Sequence, residues 1–331
     1  MNSPQPILKV RNLTTGFRTD RGPVTAVDDV SFDVHPGETV GIVGESGCGK
    51  TVTSKSIMRL LPEHLTMYGN NSVVDFGDRN LLKVSEREMR DVRGNQIAMI
   101  FQEPMTALNP VFTVGWQLDE ALRYHTTLSR SERYKRSVEM LQLVDMPNPE
   151  RRLREYPHQL SGGMRQRVMI AIALSCEPDI LIADEPTTAL DVTIQAQILR
   201  LMEDLKKRIG TAIILITHDL GVVAQICDRV LVMYAGRIVE SAKVHDIFQR
   251  PKHPYTHALL DSIPKMGLSA HDQRLPAIEG IVPSLFHLPE GCRFHDRCAG
   301  CDDLCRKDEP GLTEIDDRLV RCHYPLDEAA Q

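Results

Sequence analysis

Residues Gly44-Glu45-Ser46-Gly47-Cys48-Gly49-Lys50-Thr51 constrain this chain more than any other stretch. They match G-x-x-x-x-G-K-[ST]. They follow the apolar run 40–43 and precede a segment carrying Ile57, Met58, Leu60 and Leu61. A glycine-rich turn between a strand and a helix lets backbone N–H groups converge on a phosphate, and the helix N-terminus adds partial positive charge. In that setting Lys50 suits the β- and γ-phosphates, and the Thr51 hydroxyl suits Mg2+. A chance glycine-rich turn is the bland alternative, but eight matching residues between a strand and a helix make it a poor one.

The rest of the chain offers the fold that such a turn needs. The runs 40–43, 97–101, 180–183 and 212–216 are continuous and apolar, bounded by polar or glycine positions. Strands buried on both faces read this way, which predicts a parallel sheet with helices on each side. Between 103 and 175 the pattern is helical, including a helix over 131–144 with Ser131 as N-cap. After Asp246 prolines punctuate the chain. A short helix is expected over 255–262, and a boundary falls near 262. The expected organisation is an α/β nucleotide-binding domain over 7–262 with a helical insertion at 103–175, then a small cysteine-rich domain over 263–331.

Composition narrows the function. The 331 residues carry 39 Lys plus Arg against 45 Asp plus Glu, a net charge of −6. Such an acidic balance, with 5% aromatic residues, argues against a chain devoted to nucleic-acid phosphates. No run reaches the roughly 18 apolar residues of a membrane span. The start, Met1-Asn2-Ser3-Pro4, has no secretory character, so a cytosolic chain is expected. A second acidic element sits at the end of the run 180–183. There Asp184 suits Mg2+ support, and Glu185 suits a general base or water-orienting role.

Five of the eight cysteines, Cys292, Cys298, Cys301, Cys305 and Cys322, fall within 31 residues. In a cytosolic chain such a cluster points to metal before disulfides. Cys298 and Cys301 have the two-residue spacing of a zinc knuckle, and no second, separate pair follows. Long uneven gaps suit a cluster wrapped by loops, with zinc second and unligated thiols third. His295 and His323 flank cysteines and are alternative ligands, although solvated histidines are commoner.

Further segments carry a resemblance. Leu160-Ser161-Gly162-Gly163-Met164-Arg165-Gln166-Arg167 resembles the signature motif of ABC-type ATPases, and Gln102 stands where that family has its Q-loop glutamine. Ala189-Leu190-Asp191 resembles the D-loop, and His218 the switch histidine. Phe17 lies where the family places an adenine-stacking aromatic, though an aromatic at a strand end is often only core. The resemblance spans 7–262 in the family's order. The segments 101–110, 156–159 and 253–256, with the cysteine tail, resemble the ATPase subunits of bacterial dipeptide and oligopeptide importers. Cys48 departs mildly, since many members have Ser there.

That resemblance implies a P-loop ABC-type nucleotide-binding domain that hydrolyses ATP with Mg2+. It implies a cradle 44–51 closed by Ser161, Gly162 and Gly163 of a second ATPase subunit, in a heterodimer. Glu185, His218, Gln102 and Lys50 are then the catalytic residues. Asp184 and Gln102 serve the Mg2+ site with Thr51, and Asp191 senses the partner site. It further implies a [4Fe–4S] cluster on Cys292, Cys298, Cys305 and Cys322, with zinc as the alternative. The partners implied are two transmembrane permeases and, through them, an extracytoplasmic substrate-binding protein, with the chain peripheral on the cytoplasmic face of the bacterial inner membrane. A soluble ABC ATPase with a zinc-type tail for nucleic acid or ribosomes is the competing reading.

Overall fold

In the computed structural model, the strand before the glycine-rich turn, Thr39–Val43, is buried at all five positions. Ile180–Asp184 and Ala212–Ile216 are buried along their whole length too. Strands with both faces covered need no polar alternation, which is why these segments read as continuous apolar runs. The structure describes residues 5–102, 107–187, 192–263 and 278–327. By its internal contacts the chain divides into two compact units. One is Met1–Ile7, Val34–Glu38 and Lys83–Leu215; the other is Leu8–Asp33, Thr39–Leu82 and Ile216–Gln331.

In the first unit, Ile97–Ile100 runs parallel to Ile180–Asp184, pairing Ile97 with Ile180 and Ile100 with Ala183. Ala212–Ile216 lies on the other side of Ile180–Asp184. Helices Val114–His125, Arg130–Leu143 and Gly162–Leu174 pack on one another, and the last also rests on Ile97–Ile100. In Gly162–Leu174 the apolar residues Val168 to Ala171, Ala173 and Leu174 are all buried, so the helix shows a run in place of a stripe. Arg130–Leu143 is capped by Ser129, not by Ser131 as expected. The reason is a reciprocal box. Ser129 accepts from the Glu132 N–H, and the Glu132 carboxylate accepts from the Ser129 N–H at 2.7 Å. Three residues beyond Ser131 stands Tyr134, which cannot close that box.

The second unit holds a sheet absent from the sequence reading. Gly22–Val34, Leu8–Thr19, Val73–Phe76 and Arg79–Asn80 lie in that order, and Thr66–Tyr68 pairs with Leu8–Thr19. The pairings of Leu8–Thr19 with Val73–Phe76 and Thr66–Tyr68 are antiparallel. Beside Thr39–Val43 runs Arg229–Tyr234, in parallel register. It turns through Ala235 and Gly236, at φ 43° and 87°, into the antiparallel strand Arg237–Lys243. Two positive-φ residues in a two-residue turn match the twist of a hairpin, and Gly takes that conformation without strain. Arg318–Val320 pairs antiparallel with Arg237–Lys243, and Thr313–Ile315 pairs with it in turn, so the tail extends this sheet.

Besides that strand pairing, charge and a few rings hold the cysteine-rich tail. Arg293 binds the Asp28 carboxylate and the Ala235 carbonyl, and Arg237 binds Asp28 at 2.8 Å. Burial opposes ionisation of Asp28, but the two guanidinium groups outweigh it and hold its carboxyl below the usual range. Phe294 is buried and packs edge-on against Tyr234 and Tyr255.

Candidate functional site

The second unit carries the glycine-rich cradle. Gly44 leaves Thr39–Val43 at φ 148°, and a Cβ there would strike the Met233 carbonyl. Gly49, at φ 103°, opens the helix Lys50–Ile57, where a Cβ would stand 2.6 Å from the Ala26 carbonyl oxygen. Only glycine fits these two corners. Ser46 and Gly47 form the exposed tip. The Gly236 N–H donates to the Cys48 carbonyl at 3.0 Å, so the hairpin turn buttresses the loop.

Lys50 is buried. Its ammonium donates to the carbonyl oxygens of Gly44 at 2.7 Å and Glu45 at 3.0 Å. It therefore lies along the cradle's own backbone, where phosphate oxygens would compete for its donors. Cys48 is buried with its sulfur 3.8 Å from the Lys50 ammonium. Burial pushes its thiol up despite that neighbouring charge. Thr51 is half-buried in the first turn of the helix. Phe17 is half-exposed on Leu8–Thr19, paired with Thr66. His218 is exposed just beyond Ala212–Ile216. The turn presenting it is fixed by Asp219, which caps Leu220–Ile226 by accepting from Gly221 at 2.9 Å and Val222 at 3.2 Å.

The first unit carries the acidic pair. Asp184 ends its strand 2% exposed, and Glu185 follows at φ 48°, in left-handed backbone. A non-glycine residue there is held by its surroundings at some cost. The Gln102 amide donates to a Glu185 carboxylate oxygen at 3.1 Å. Ser161 caps Gly162–Leu174 by accepting from Met164. Ser161 and Gly162 are exposed, so this helix presents its positive end outward. Gln166 is buried and its amide donates to the Pro186 carbonyl, tying that helix to the loop after Glu185. Asp191 lies outside the described residues.

Cys292, Cys298, Cys305 and Cys322 line one cavity of about 460 Å³, together with His253, Phe294 and Arg297. None of the four is in a disulfide. Among the described residues no group of three or more His, Cys, Asp or Glu side chains is arranged to hold a metal ion. Burial pushes the Cys292 thiol up to about 12 and Cys322 to about 11, and raises Cys298 and Cys305. Cys301 does not line the cavity, and its thiol donates to the Asp302 carbonyl at 3.4 Å. His295 and His323 also line the cavity, with ring nitrogens turned to other partners. Nδ1 of His295 faces the Cys292 carbonyl and Nε2 the Asp296 carboxylate, while His323 Nε2 faces the Asp308 carbonyl.

The sequence reading missed the groups that join tail and cradle. Arg297 forms a two-point pair with Glu45, and the Tyr255 hydroxyl accepts from the Glu45 N–H at 3.0 Å. The 253–256 segment did stand out in the sequence, but nothing local named Glu45 as its partner.

The family model "ABC transporter" matches residues 27–188, and "Oligopeptide/dipeptide transporter, C-terminal region" matches 239–305. A probable peptide ABC transporter ATP-binding protein of Sinorhizobium fredii is 57% identical, over 93% of this chain and 92% of the relative. The dipeptide transport ATP-binding protein DppD of Bacillus subtilis is 52% identical, over 96% and 94%. Its Escherichia coli namesake is 47% identical, over 98% of each chain. Among solved structures, a dimeric ATP-binding cassette in a post-hydrolysis state with ADP and phosphate aligns at TM-score 0.64 and 28% identity. It covers 72% of this chain and 98% of that one.

Proposed function

This chain belongs to the ATP-binding subunits of peptide ABC transporters, and from that premise we propose how its residues divide the work of driving import. It is an ABC transport ATPase of a peptide or dipeptide importer and has the P-loop ABC fold. The competing nucleic-acid or ribosome reading yields to near full-length similarity with peptide transporters.

In the proposed cycle Lys50 turns from its cradle carbonyls to the β- and γ-phosphates of ATP. Cradle N–H groups receive the phosphate oxygens, and Phe17 stacks on the adenine. Thr51, Asp184 and Gln102 serve Mg2+. Glu185 orients and polarises the attacking water, and His218 steadies the γ-phosphate. The Gln102–Glu185 hydrogen bond carries this reading. It joins the glutamine proposed to serve Mg2+ to the proposed base. The outward N-terminus of Gly162–Leu174, with Ser161, Gly162 and Gly163, supports a site completed across two ATPase subunits. We assign Asp191 to that interface, and the second subunit to a related chain in a heterodimer. The further partners are two permeases and, through them, a substrate-binding protein. No helix among the described residues is long and apolar enough to cross a membrane. Similarity to the ATP-binding subunits of peptide transporters supports placing the chain peripherally, at the cytoplasmic face of the inner membrane.

We assign a [4Fe–4S] cluster to Cys292, Cys298, Cys305 and Cys322. The support is their common cavity: all four thiols line it, its volume of about 460 Å³ exceeds what one ion needs, and Cys301 lies outside. The chemistry supplied is cross-linking of loops with little apolar core of their own, and cationic iron would hold the thiols as thiolates. Zinc is the other occupant weighed. The test is anaerobic extraction of the tagged chain in mild detergent, with identification of its companions and assay of iron, sulfide and zinc. Two multi-span proteins, a second ATPase and four irons per chain are expected. A chain recovered alone and without iron overturns the partner and cluster assignments.

A further inference from the structure

The two-point pair between Arg297 and Glu45 is unusual in its completeness. Nη1 donates to Oε2 at 2.6 Å and Nη2 to Oε1 at 3.0 Å. The remaining donors go to the Tyr234 hydroxyl at 3.3 Å, the Ile278 carbonyl at 3.3 Å and the Glu279 carbonyl at 3.0 Å. All five guanidinium donors are thus engaged. The Arg297 side chain is 3% exposed, and its guanidinium carbon stands 5.7 Å from the centre of the Tyr234 ring and 5.9 Å from that of Phe294. The guanidinium is thus withdrawn from solvent while the Glu45 carboxylate stays 28% exposed, and the two-point geometry orders the pair more than a single surface contact would.

Its target is the second residue of the phosphate cradle. Tyr255, fully buried against Tyr234 and Phe294, takes up the Glu45 backbone N–H as well. Glu45 is therefore gripped at side chain and main chain by the C-terminal region. Its carbonyl is one of the two on which Lys50 rests. On the other side, Arg297 is bonded directly to Cys298, and Phe294 and Arg297 line the cavity of the four thiols.

We propose that Arg297 and Tyr255 are positioning residues that couple the cysteine cavity to the phosphate cradle. A group holding Cys292 and Cys298 fixes the loop between them. That loop places Arg297, Arg297 places Glu45, and Glu45 sets the cradle's first limb and the resting point of Lys50. Occupancy of the tail thereby tunes nucleotide affinity. The inference rests on the cluster assignment above, and its test separates the two.

The anaerobically purified full chain is titrated with a fluorescent ATP analogue before and after iron removal by a chelator. Coupling between sites is usually worth 5- to 150-fold, and a loss of affinity in that range is expected. Reciprocity requires ATP to raise the chelator concentration at which half the iron is lost at equilibrium, followed by cluster absorbance, in the wild type. Arg297→Ala should bind the analogue weakly whether or not iron is present and should lose the protection by ATP. Arg297→Lys should not restore it, since an ammonium cannot form the fork. Tyr255→Phe removes one hydroxyl and keeps the ring. It should raise KM for ATP about fivefold, the worth of one hydrogen bond, with kcat unchanged. An iron-loaded chain whose affinity ignores chelation overturns the coupling and leaves the cluster standing. A chain without iron overturns the cluster instead. Coupling is then read from alkylation of the four thiols, and no protection by ATP overturns it as well.

Discussion

Glu185, the residue we propose as the base, also carries backbone strain. It sits at φ 48° beyond the buried Asp184 and accepts a hydrogen bond from Gln102. Glu185→Gln keeps the shape and removes the charge. ATP binding should persist while turnover falls by roughly 10²- to 10⁴-fold, the usual worth of a positioned acid–base group. Single-turnover hydrolysis beside equilibrium binding checks this. Gly49→Ala should abolish nucleotide binding, because the new Cβ would stand 2.6 Å from the Ala26 carbonyl in left-handed backbone. Equilibrium titration with ATP reads that outcome. These residues were legible because phosphate chemistry demands particular types at fixed spacing along the chain. Arg297 and Glu45 lie 252 positions apart, and no local pattern announces a partnership of that reach.

Among the elements, those with a local signature were readable and those defined by distant pairing were not. The buried strands Ile180–Asp184 and Ala212–Ile216 followed from apolar runs. The antiparallel sheet around Leu8–Thr19 did not, since its strands are half-exposed and blend with ordinary polar alternation. The helix Pro254–Asp261 was expected one residue later, and its N-cap is an unusual one, His253. His253 is buried, and its Nδ1 accepts from the Tyr255 N–H at 3.0 Å. Burial lowers its pKa from 6.5 to about 3. Unfolded chains then bind a proton that folded ones refuse, so this group costs stability as pH falls from 6.5 toward 3. At pH 5 the loss is about 2 kcal/mol, at 1.36 kcal/mol per pH unit. Glu240, raised by burial and accepting from Lys252 and His253, acts in the opposite sense as pH falls toward 4.5. The difference between wild type and His253→Gln in urea unfolding at pH 7 and pH 5 isolates the imidazole. The variant should lose less stability on acidification. An equal loss contradicts a neutral buried His253. Phe294→Ala, which deletes the ring packed on Tyr234 and Tyr255, should cost about 3–5 kcal/mol in the same assay.

At the scale of the whole molecule the chain is a peptide-importer ATPase, and its sequence announced as much through a motif set spread over most of its length. Peptide choice is less legible, because the motifs that stand out in the sequence are those of nucleotide chemistry and carry no information about the cargo. The central claim is that ATP turnover at Glu185 drives peptide import. Its most direct measurement is uptake of a labelled dipeptide by cells lacking this chain and supplied with wild type or with Glu185→Gln. Uptake should return with wild type and stay at background with the variant, although the variant still binds ATP and still joins its permeases. Uptake sustained by Glu185→Gln, or unaffected by loss of the chain, contradicts the account.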